Sequence, residues 1–183
     1  MKKPLRNYLI CFTIPFGMVG LFLLAIPFLG PAWHVVYGDT VSYSGWTFNV
    51  PKGFLALHDV SDGGSMWRLG LGIPWFESPY GHLTIRQRSG VYLSYEEHYD
   101  KFEGIQIEMA SDTGHELSLR REVPVGDRKA YCVEFLRPDK MPHALIRCMI
   151  ENSGFLVSYE GHPKYLEDAY STVASAVPEM SDP

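Results

Sequence analysis

The chain has 183 residues and a formal net charge of −5, with 46% hydrophobic and 20% charged residues. These fractions are those of an ordinary globular protein, and they exclude a largely disordered chain. The acidic balance argues against nucleic-acid binding, which usually requires a basic surface. The residues that follow the first segment suffice for one domain with a hydrophobic core.

The first feature along the chain is an uncharged, almost wholly apolar run from Tyr8 to Leu29. A helix of that length spans about 30 Å, which is the thickness of the hydrocarbon core of a bilayer. The run therefore predicts a transmembrane helix at residues 8–30, followed by a short linker at residues 31–39. Small residues inside the span would let another membrane helix approach closely; they are Gly17, Gly20 and Ala25.

A cleaved export signal is the alternative interpretation of this run. Lys2, Lys3 and Arg6 form a positively charged n-region, and residues 30–32 (Gly-Pro-Ala) could serve as a cleavage site. The apolar region of a signal peptide usually has only about 7–15 residues, which is shorter than this run. We therefore favour a retained signal anchor.

The cations near the span predict its orientation. They precede the run, and no Lys or Arg follows it until Lys52. Since cytoplasmic flanks carry the excess of positive charge, residues 1–7 should be cytoplasmic and residues 40–183 should lie across the membrane. We interpret the basic N-terminus as bacterial, which places the chain in the inner (cytoplasmic) membrane with a periplasmic domain.

The first part of this domain is predicted to be β-structure. The stretch TVSYSGWTFNVPKGF indicates a hairpin that turns at Ser44-Gly45 and stops at Pro51 and Gly53. The stretches MWRLGLG and HLTIRQRS indicate further strands. SDGGS at residues 61–65 indicates a turn rather than a phosphate-binding loop, because no helix follows it.

A helix follows these strands. Ser94 and Glu97 have the spacing of a capping box, and Gly114 is a suitable helix end. An apolar stripe recurs at helical spacing and should face the core; it consists of Tyr95, Tyr99, Phe102, Ile105 and Met109.

Four strand-like runs come next, ELSLRREV, RKAYCVEFLR, ALIRCMIE and FLVSYE, joined by turns too short for parallel crossovers. Apolar residues on both alternations, such as Tyr131 and Val133 against Ala130 and Cys132, predict a sheet covered on both faces. The predicted fold is therefore α+β, an α/β/α sandwich with an antiparallel sheet. A final helix over residues 163–178 should bury Leu166, Tyr170, Val173 and Val177.

This order of elements, with the hairpins YSGWTFNVPKGF and VPVGDRKAYCVEF, resembles the PsbP-like fold over roughly residues 40–178. PsbP is the extrinsic lumenal subunit of the photosynthetic oxygen-evolving complex. The resemblance implies a non-catalytic accessory domain docked on a membrane complex, and it maps no functional residue onto this chain.

Two of the three cysteines form a candidate pair. Cys132 and Cys148 should face each other across adjacent strands if the PDKMPH turn closes its hairpin symmetrically. An oxidising periplasm would allow a disulfide, whereas two buried thiols packing as small apolar residues are the alternative. Cys11 lies in the predicted span.

The sequence offers no catalytic motif and no metal-ligand spacing. Its histidines include no i, i+4 pair and no His-Glu-x-x-His pattern; they are His34, His58, His82, His98, His115, His143 and His162. We therefore predict no catalytic residue, no metal site and no cofactor, although a histidine site assembled in three dimensions stays open.

The stretch GIPWFESPYGH at residues 72–82 is the strongest candidate for a docking surface. Its prolines and glycines predict a loop, and Trp75, Phe76 and Tyr80 place three large rings in it. Clustered aromatic residues are typical of partner contacts, but the rings would equally cover the domain's own core.

These features together predict a membrane-anchored accessory or scaffold subunit, non-catalytic, in contact with the lipid bilayer and with an integral membrane protein complex. A photosynthetic or electron-transfer complex would fit the resemblance. The alternative is a periplasmic ligand- or lipid-binding module, which would need an apolar pocket between the sheet and a helix.

Overall fold

The computed structural model describes residues 20, 25, 28–59, 63–68, 81–87, 95–137 and 142–179. The strands are β1 (Thr40–Tyr43), β2 (Trp46–Asn49), β3 (Leu55–Asp59), β4 (Gly63–Arg68), β5 (Gly81–Gln87), β6 (Glu116–Val125), β7 (Arg128–Arg137), β8 (His143–Ile150), β9 (Phe155–Gly161) and β10 (Val177–Pro178). The helices are α1 (residues 28–37), α2 (Tyr95–Ser111) and α3 (Leu166–Ala174), and a 3₁₀ turn (Pro163–Tyr165) precedes α3.

The strands of the described part form two antiparallel sheets. One sheet has seven strands in the order β3-β4-β5-β9-β8-β7-β6, and the other has three in the order β1-β2-β10. The predicted hairpin is β1–β2, and its turn residues Ser44 and Gly45 both have positive φ. The four later runs pair in sequence as β6 to β9. The α+β class with antiparallel sheets is thus confirmed.

The large sheet carries a hydrophobic cluster on each face. Tyr131, Val133 and Phe135 of β7 pack with α2, whereas Ala130 and Cys132 belong to the cluster that includes α3. Consecutive strand residues point to opposite faces, so this alternation requires cover on both. The predicted cover of both faces of β7 is therefore confirmed.

Helix α2 buries only part of the predicted stripe: Phe102 belongs to a core cluster and Tyr99 packs against it, but the last two members of the stripe are exposed. Ile105 is 44% exposed and Met109 is 58% exposed, while Gln106 and Ala110 are buried beside Phe102. The prediction selected residues by their hydrophobicity alone. It therefore included Ile105 and Met109, which lie on a more exposed side of the helix than Gln106 and Ala110. The small Ala110 and the amide Gln106 face the sheet instead, and Met109 lies at the helix flank. Ser94 of the predicted capping box lies outside the described residues.

The predicted C-terminal helix is shorter than expected. It ends at Ala174, and Val177 is 55% exposed in β10 instead of buried. β10 pairs with β2, where Val177 lies opposite Thr47. The helical spacing of Val177 was therefore misleading, because a strand pairing ends the helix early.

Two further differences concern the first strands of the large sheet. β3 was not predicted, and residues 63–65 of the predicted SDGGS turn belong to β4. Gly64 is required there, because a Cβ atom at this position would lie 1.9 Å from the ring of Tyr43. The glycine thus marks a close approach of the β1–β2 hairpin to the large sheet.

Helix α1 contacts the domain directly. Trp33 packs against the core cluster, and His34 Nε2 lies 3.1 Å from the carbonyl oxygen of Pro51. Gly30 lies so close to the Gly53 carbonyl that an added Cβ would come within 2.4 Å of its oxygen. Residues 31–37 of the predicted linker are therefore helical and tied to the turn after β2.

The predicted membrane span falls mostly outside the described residues. Gly17 is not described, while Gly20 and Ala25 have helical backbone. None of the helices in the described ranges is both long and apolar enough to cross a bilayer.

Candidate ligand-binding cleft

A cleft of about 320 Å³ lies between α2 and the large sheet. Residues from α2, the turn after it and strands β7 to β9 form its walls. The lining consists of Gln106, Met109, Ala110, Thr113, His115, Phe135, Arg137, His143, Leu145, Arg147 and Glu160. It therefore combines an apolar wall with several ionisable groups.

The turn after α2 places one of the two histidines of the cleft. Gly114 has φ of +73°, the left-handed conformation that ends helices, and the His115 amide donates to the Ala110 carbonyl at 3.0 Å. His115 is then only 6% exposed. His143, the first residue of β8, pairs with Arg137 of β7 and lies on the same sheet face as Leu145.

A chain of hydrogen bonds joins these two histidines. The Thr113 hydroxyl donates to the Ala110 carbonyl at 2.9 Å and lies 2.8 Å from His115 Nδ1. Since the hydroxyl has one proton, already given to Ala110, it must accept from His115 Nδ1. In neutral His115, Nε2 is then an acceptor, and His143 Nδ1 donates to it across 2.9 Å.

This arrangement defines where the pair can take up a proton. With Nδ1 of His143 already carrying hydrogen, the nitrogen that remains is Nε2, which lies 3.6 Å from Glu160 Oε1. Burial, with Coulomb contributions from His143 and then Arg137, holds the pKa of His115 below its ordinary value. The inner ring is therefore kept neutral, and His143 is the ring that faces a carboxylate.

The arginines supply the positive charge of the cleft. Arg147 Nη1 donates to the carbonyl oxygens of Ile146 at 3.1 Å and Tyr159 at 3.4 Å, which fixes the plane of its guanidinium. Burial lowers the pKa of Arg147, so this cation is incompletely hydrated. Arg137 reaches the same cleft from β7.

Helix α2 forms the outer wall of the cleft, and the carboxylate of Glu103 holds this helix to the sheet. Glu103 of α2 accepts a hydrogen bond from the Tyr131 hydroxyl at 2.6 Å and from Arg120 Nε at 2.8 Å. The bond from Arg120 is the first cause of the lowered pKa of Glu103. This tie keeps α2 over β7 and leaves the cleft at the end of the helix.

The two candidate cysteines lie in a different part of the domain, on the α3 face of the sheet. Cys132 and Cys148 are directly opposite in the β7–β8 pairing, with Cα atoms 4.1 Å apart, and form a disulfide. Both are fully buried. The bridge therefore joins the neighbouring strands β7 and β8 behind the cleft without lining it.

The other predicted site residues do not contribute to the cleft as described. Trp75, Phe76 and Tyr80 lie outside the described residues, and Gly20 and Ala25 lie in the N-terminal helical segment. Across the described residues, no group of three or more His, Cys, Asp or Glu side chains could hold a metal ion.

The sequence contained one usable signal for this cleft. β8 alternates buried Ala144, Ile146 and Cys148 with residues of the opposite face, and a single arginine, Arg147, lies in that second row. A cation in the middle of a largely apolar central strand indicates a polar cavity. His115 and His143 are 28 residues apart, and only the tertiary structure brings them together.

No protein-family model matches the chain, and no curated protein matches its sequence.

Proposed function

We propose that this chain is a membrane-tethered, extracytoplasmic and non-catalytic binding domain whose cleft between α2 and the sheet holds a small ligand. The observation that carries the proposal is the cleft itself. Its volume of 320 Å³ falls within the range of small-molecule sites, about 300–1,000 Å³.

The composition of the walls supports binding of a ligand with both polar and apolar parts. Met109, Ala110, Phe135 and Leu145 provide apolar surface, and the histidine pair and the arginines line the same cleft. Sites of this kind gain affinity from apolar contact and specificity from a few fixed polar groups. The hydrogen-bonded chain of Thr113, His115 and His143 supplies such fixed groups.

Tethering is part of the proposal because of the N-terminal sequence. The uncharged run ends where α1 packs against the domain, so a membrane helix would hold the domain close to the bilayer. The domain would then meet ligands of the periplasm at the membrane surface.

The proposal is tested by blocking the cleft mouth in the full-length protein, purified in mild detergent. Met109→Trp should cover the cleft, because Met109 lines it and is 58% exposed. Ile105→Trp is the matched control, one turn earlier and 44% exposed, and it is not among the lining residues. Binding of hexanoate, 1-hexanol and hexylamine is followed by saturation-transfer NMR.

At least one of these three probes should bind the wild type and Ile105→Trp, and it should lose binding in Met109→Trp. If none of the three binds, or if binding persists unchanged in Met109→Trp, the binding function is wrong.

An accessory subunit of a membrane complex is the second candidate, and α1 favours it. Although Trp33 faces the core, apolar residues of the same segment are strongly exposed; they are Phe28 (68%), Val35 (87%), Val36 (70%) and Tyr37 (69%). Exposed apolar surface of this kind is typical of contact with lipid or a protein partner.

Co-purification after gentle solubilisation tests this candidate. Val35→Asp with Val36→Asp should release a bound membrane subunit and leave the melting temperature unchanged, because neither side chain is buried. A stable complex in the double variant would contradict contact through α1. Trp75→Ala tests the predicted docking loop in the same assay.

A further inference from the structure

We infer that the ligand of the cleft is a small organic carboxylate, with its carboxylate on Arg137 and Arg147 and its hydrocarbon part against Met109, Phe135 and Leu145. This inference rests on the proposed binding function, and it names the chemical class of the ligand.

The first observation is that the cleft has an excess of positive charge. The lining contains two arginines and one glutamate, so it has a positive excess when the histidine pair is neutral. The whole chain has a net charge of −5. A local cationic site in an acidic protein attracts anions, and guanidinium groups suit the planar, two-oxygen carboxylate.

The second observation is that Arg147 lies among apolar residues of β8. It stands in β8 between Leu145 and Met149 of the same row, and both of these residues pack with the α2 cluster. A cation in such surroundings loses hydration, and it regains stabilisation when an anion pairs with it. The two carbonyl oxygens that bind Nη1 orient the guanidinium but are uncharged, and the negative charge that acts on Arg147 is that of Glu160, which raises the pKa of Arg147 and so offsets part of the effect of burial.

Glu160 does not reverse this preference. Its side chain is 51% exposed, and it lies 3.6 Å from His143 Nε2. His143 is itself 23% exposed. The carboxylate of Glu160 is thus largely hydrated at the rim, and water screens its repulsion of a bound anion.

The last observation is that the cleft also has an apolar wall, which a ligand could contact. Phe135 is 1% exposed and Leu145 is 9% exposed, and both line the cleft together with Ala110. A fully polar anion such as inorganic phosphate would leave this surface without a partner. A carboxylate with a short hydrocarbon part would contact both kinds of wall, and each methylene buried there would add to the affinity.

The test compares three probes that share one hydrocarbon chain and differ in charge: hexanoate, 1-hexanol and hexylamine. Dissociation constants are measured by NMR titration of the full-length protein in mild detergent, with Met109→Trp as the blank for partition into micelles. Hexanoate should bind about tenfold more tightly than 1-hexanol, because hydrogen bonds to charged groups exceed those between neutral groups. Hexylamine should bind most weakly.

Substitution of one arginine provides a second measurement. Arg137→Gln should weaken hexanoate about tenfold while leaving 1-hexanol unchanged. Arg128→Gln is the matched control, since Arg128 contacts the Asn152 carbonyl and Trp46 outside the cleft. The comparison of probes on the wild type does not use Arg137→Gln, so it stands even if that variant does not fold.

The possible outcomes distinguish a failure of the carboxylate inference from a failure of the proposed binding function. Equal affinity for hexanoate and 1-hexanol, or a preference for hexylamine, overturns the carboxylate class while the binding function stands. Loss of 1-hexanol affinity in Arg137→Gln equal to that of hexanoate would also overturn it, because a structural effect acts on both probes. Absence of binding by all three overturns the binding function itself.

Discussion

His143 Nδ1 lies 2.9 Å from His115 Nε2, and the Thr113 hydroxyl on the far side of His115 determines which ring donates. If His115 took up a proton at Nε2, two N–H groups would face each other. His143 would then have to move its own proton to Nε2, towards Glu160. The buried ring therefore resists protonation through its bonding as well as through its burial.

We predict that the domain loses stability in mild acid because of His115. Its pKa is lowered in the folded state, so the unfolded chain binds a proton at a higher pH than the folded chain does. The stabilisation is complete above the unfolded value of about 6.5 and is lost as the pH falls towards the folded value. The melting temperature should therefore be lower at about pH 5 than at about pH 8.

His115→Gln should reduce this difference between the two pH values. It should not abolish it, because burial also lowers the pKa of His82. Glu103 has a lowered pKa as well, but a lowered carboxyl pKa affects stability only in stronger acid. An equal acid-induced drop in the variant and the wild type would show that His115 is not the responsible group.

We predict that the Cys132–Cys148 bridge stabilises the fold. Its ends are 16 residues apart in sequence, and the chain-entropy model gives about 3 kcal/mol for a loop of that size. Reductant should lower the melting temperature of the wild type. The double variant Cys132→Ala and Cys148→Ala should melt at a lower temperature and respond no further to reductant.

Mass spectrometry supplies the matching chemical measurement for the disulfide. Without reductant, the peptides that contain Cys132 and Cys148 should be found linked. Alkylation of both thiols in the native, unreduced protein would contradict the bridge.

We predict opposite effects for alanine at two glycines. At Gly64 a Cβ atom would overlap the ring of Tyr43, a side chain that is 1% exposed and cannot move aside freely. Gly64→Ala should therefore destabilise the fold by about 1–3 kcal/mol. At Gly104, within α2, an added Cβ meets nothing within 4 Å.

Gly104→Ala should consequently stabilise the fold, by up to about 1 kcal/mol, because alanine favours the helix. Urea unfolding of the two variants and the wild type measures both effects. Equal stability of Gly64→Ala and wild type would show that the hairpin does not lie so close to β4.

We predict that a reporter fused after Pro183 is active only outside the cytoplasm. The N-terminal cations Lys2, Lys3 and Arg6 should keep the short first segment in the cytoplasm and so export the rest of the chain. A periplasmic phosphatase and a cytoplasmic fluorescent protein make a suitable pair of reporters. Activity of the cytoplasmic reporter alone would contradict the orientation.

Local patterns of the sequence determined much of the secondary structure. The turn at Ser44-Gly45, the pairing of β6 to β9 and the two buried faces of β7 follow from alternation, glycine and short connections. These signals act over a few residues, so they survive in the sequence itself. The facing positions of Cys132 and Cys148 were predicted in the same way, from a hairpin that the PDKMPH turn closes symmetrically.

Other features depended on partners that are distant in the chain. β10 exists because β2 offers an edge to residues more than a hundred positions later, and this pairing takes Val177 out of the predicted helix. The stripe of α2 was displaced because the sheet beneath it accepts Ala110 and Gln106 rather than Ile105 and Met109. The hydrophobicity of the residues along one helix does not determine the shape of the surface on which that helix packs.

The convergence of the side chains that line the cleft was decided by tertiary structure alone. Its histidines come from a helix-ending turn and from the start of β8, and Glu160 comes from β9. No spacing rule joins these positions, because the distance between their side chains is set by strand order and by the place where α2 ends. The sequence supplied the residue types and the uncharged N-terminal run, whereas the convergence of two histidines and two arginines required the folded sheet.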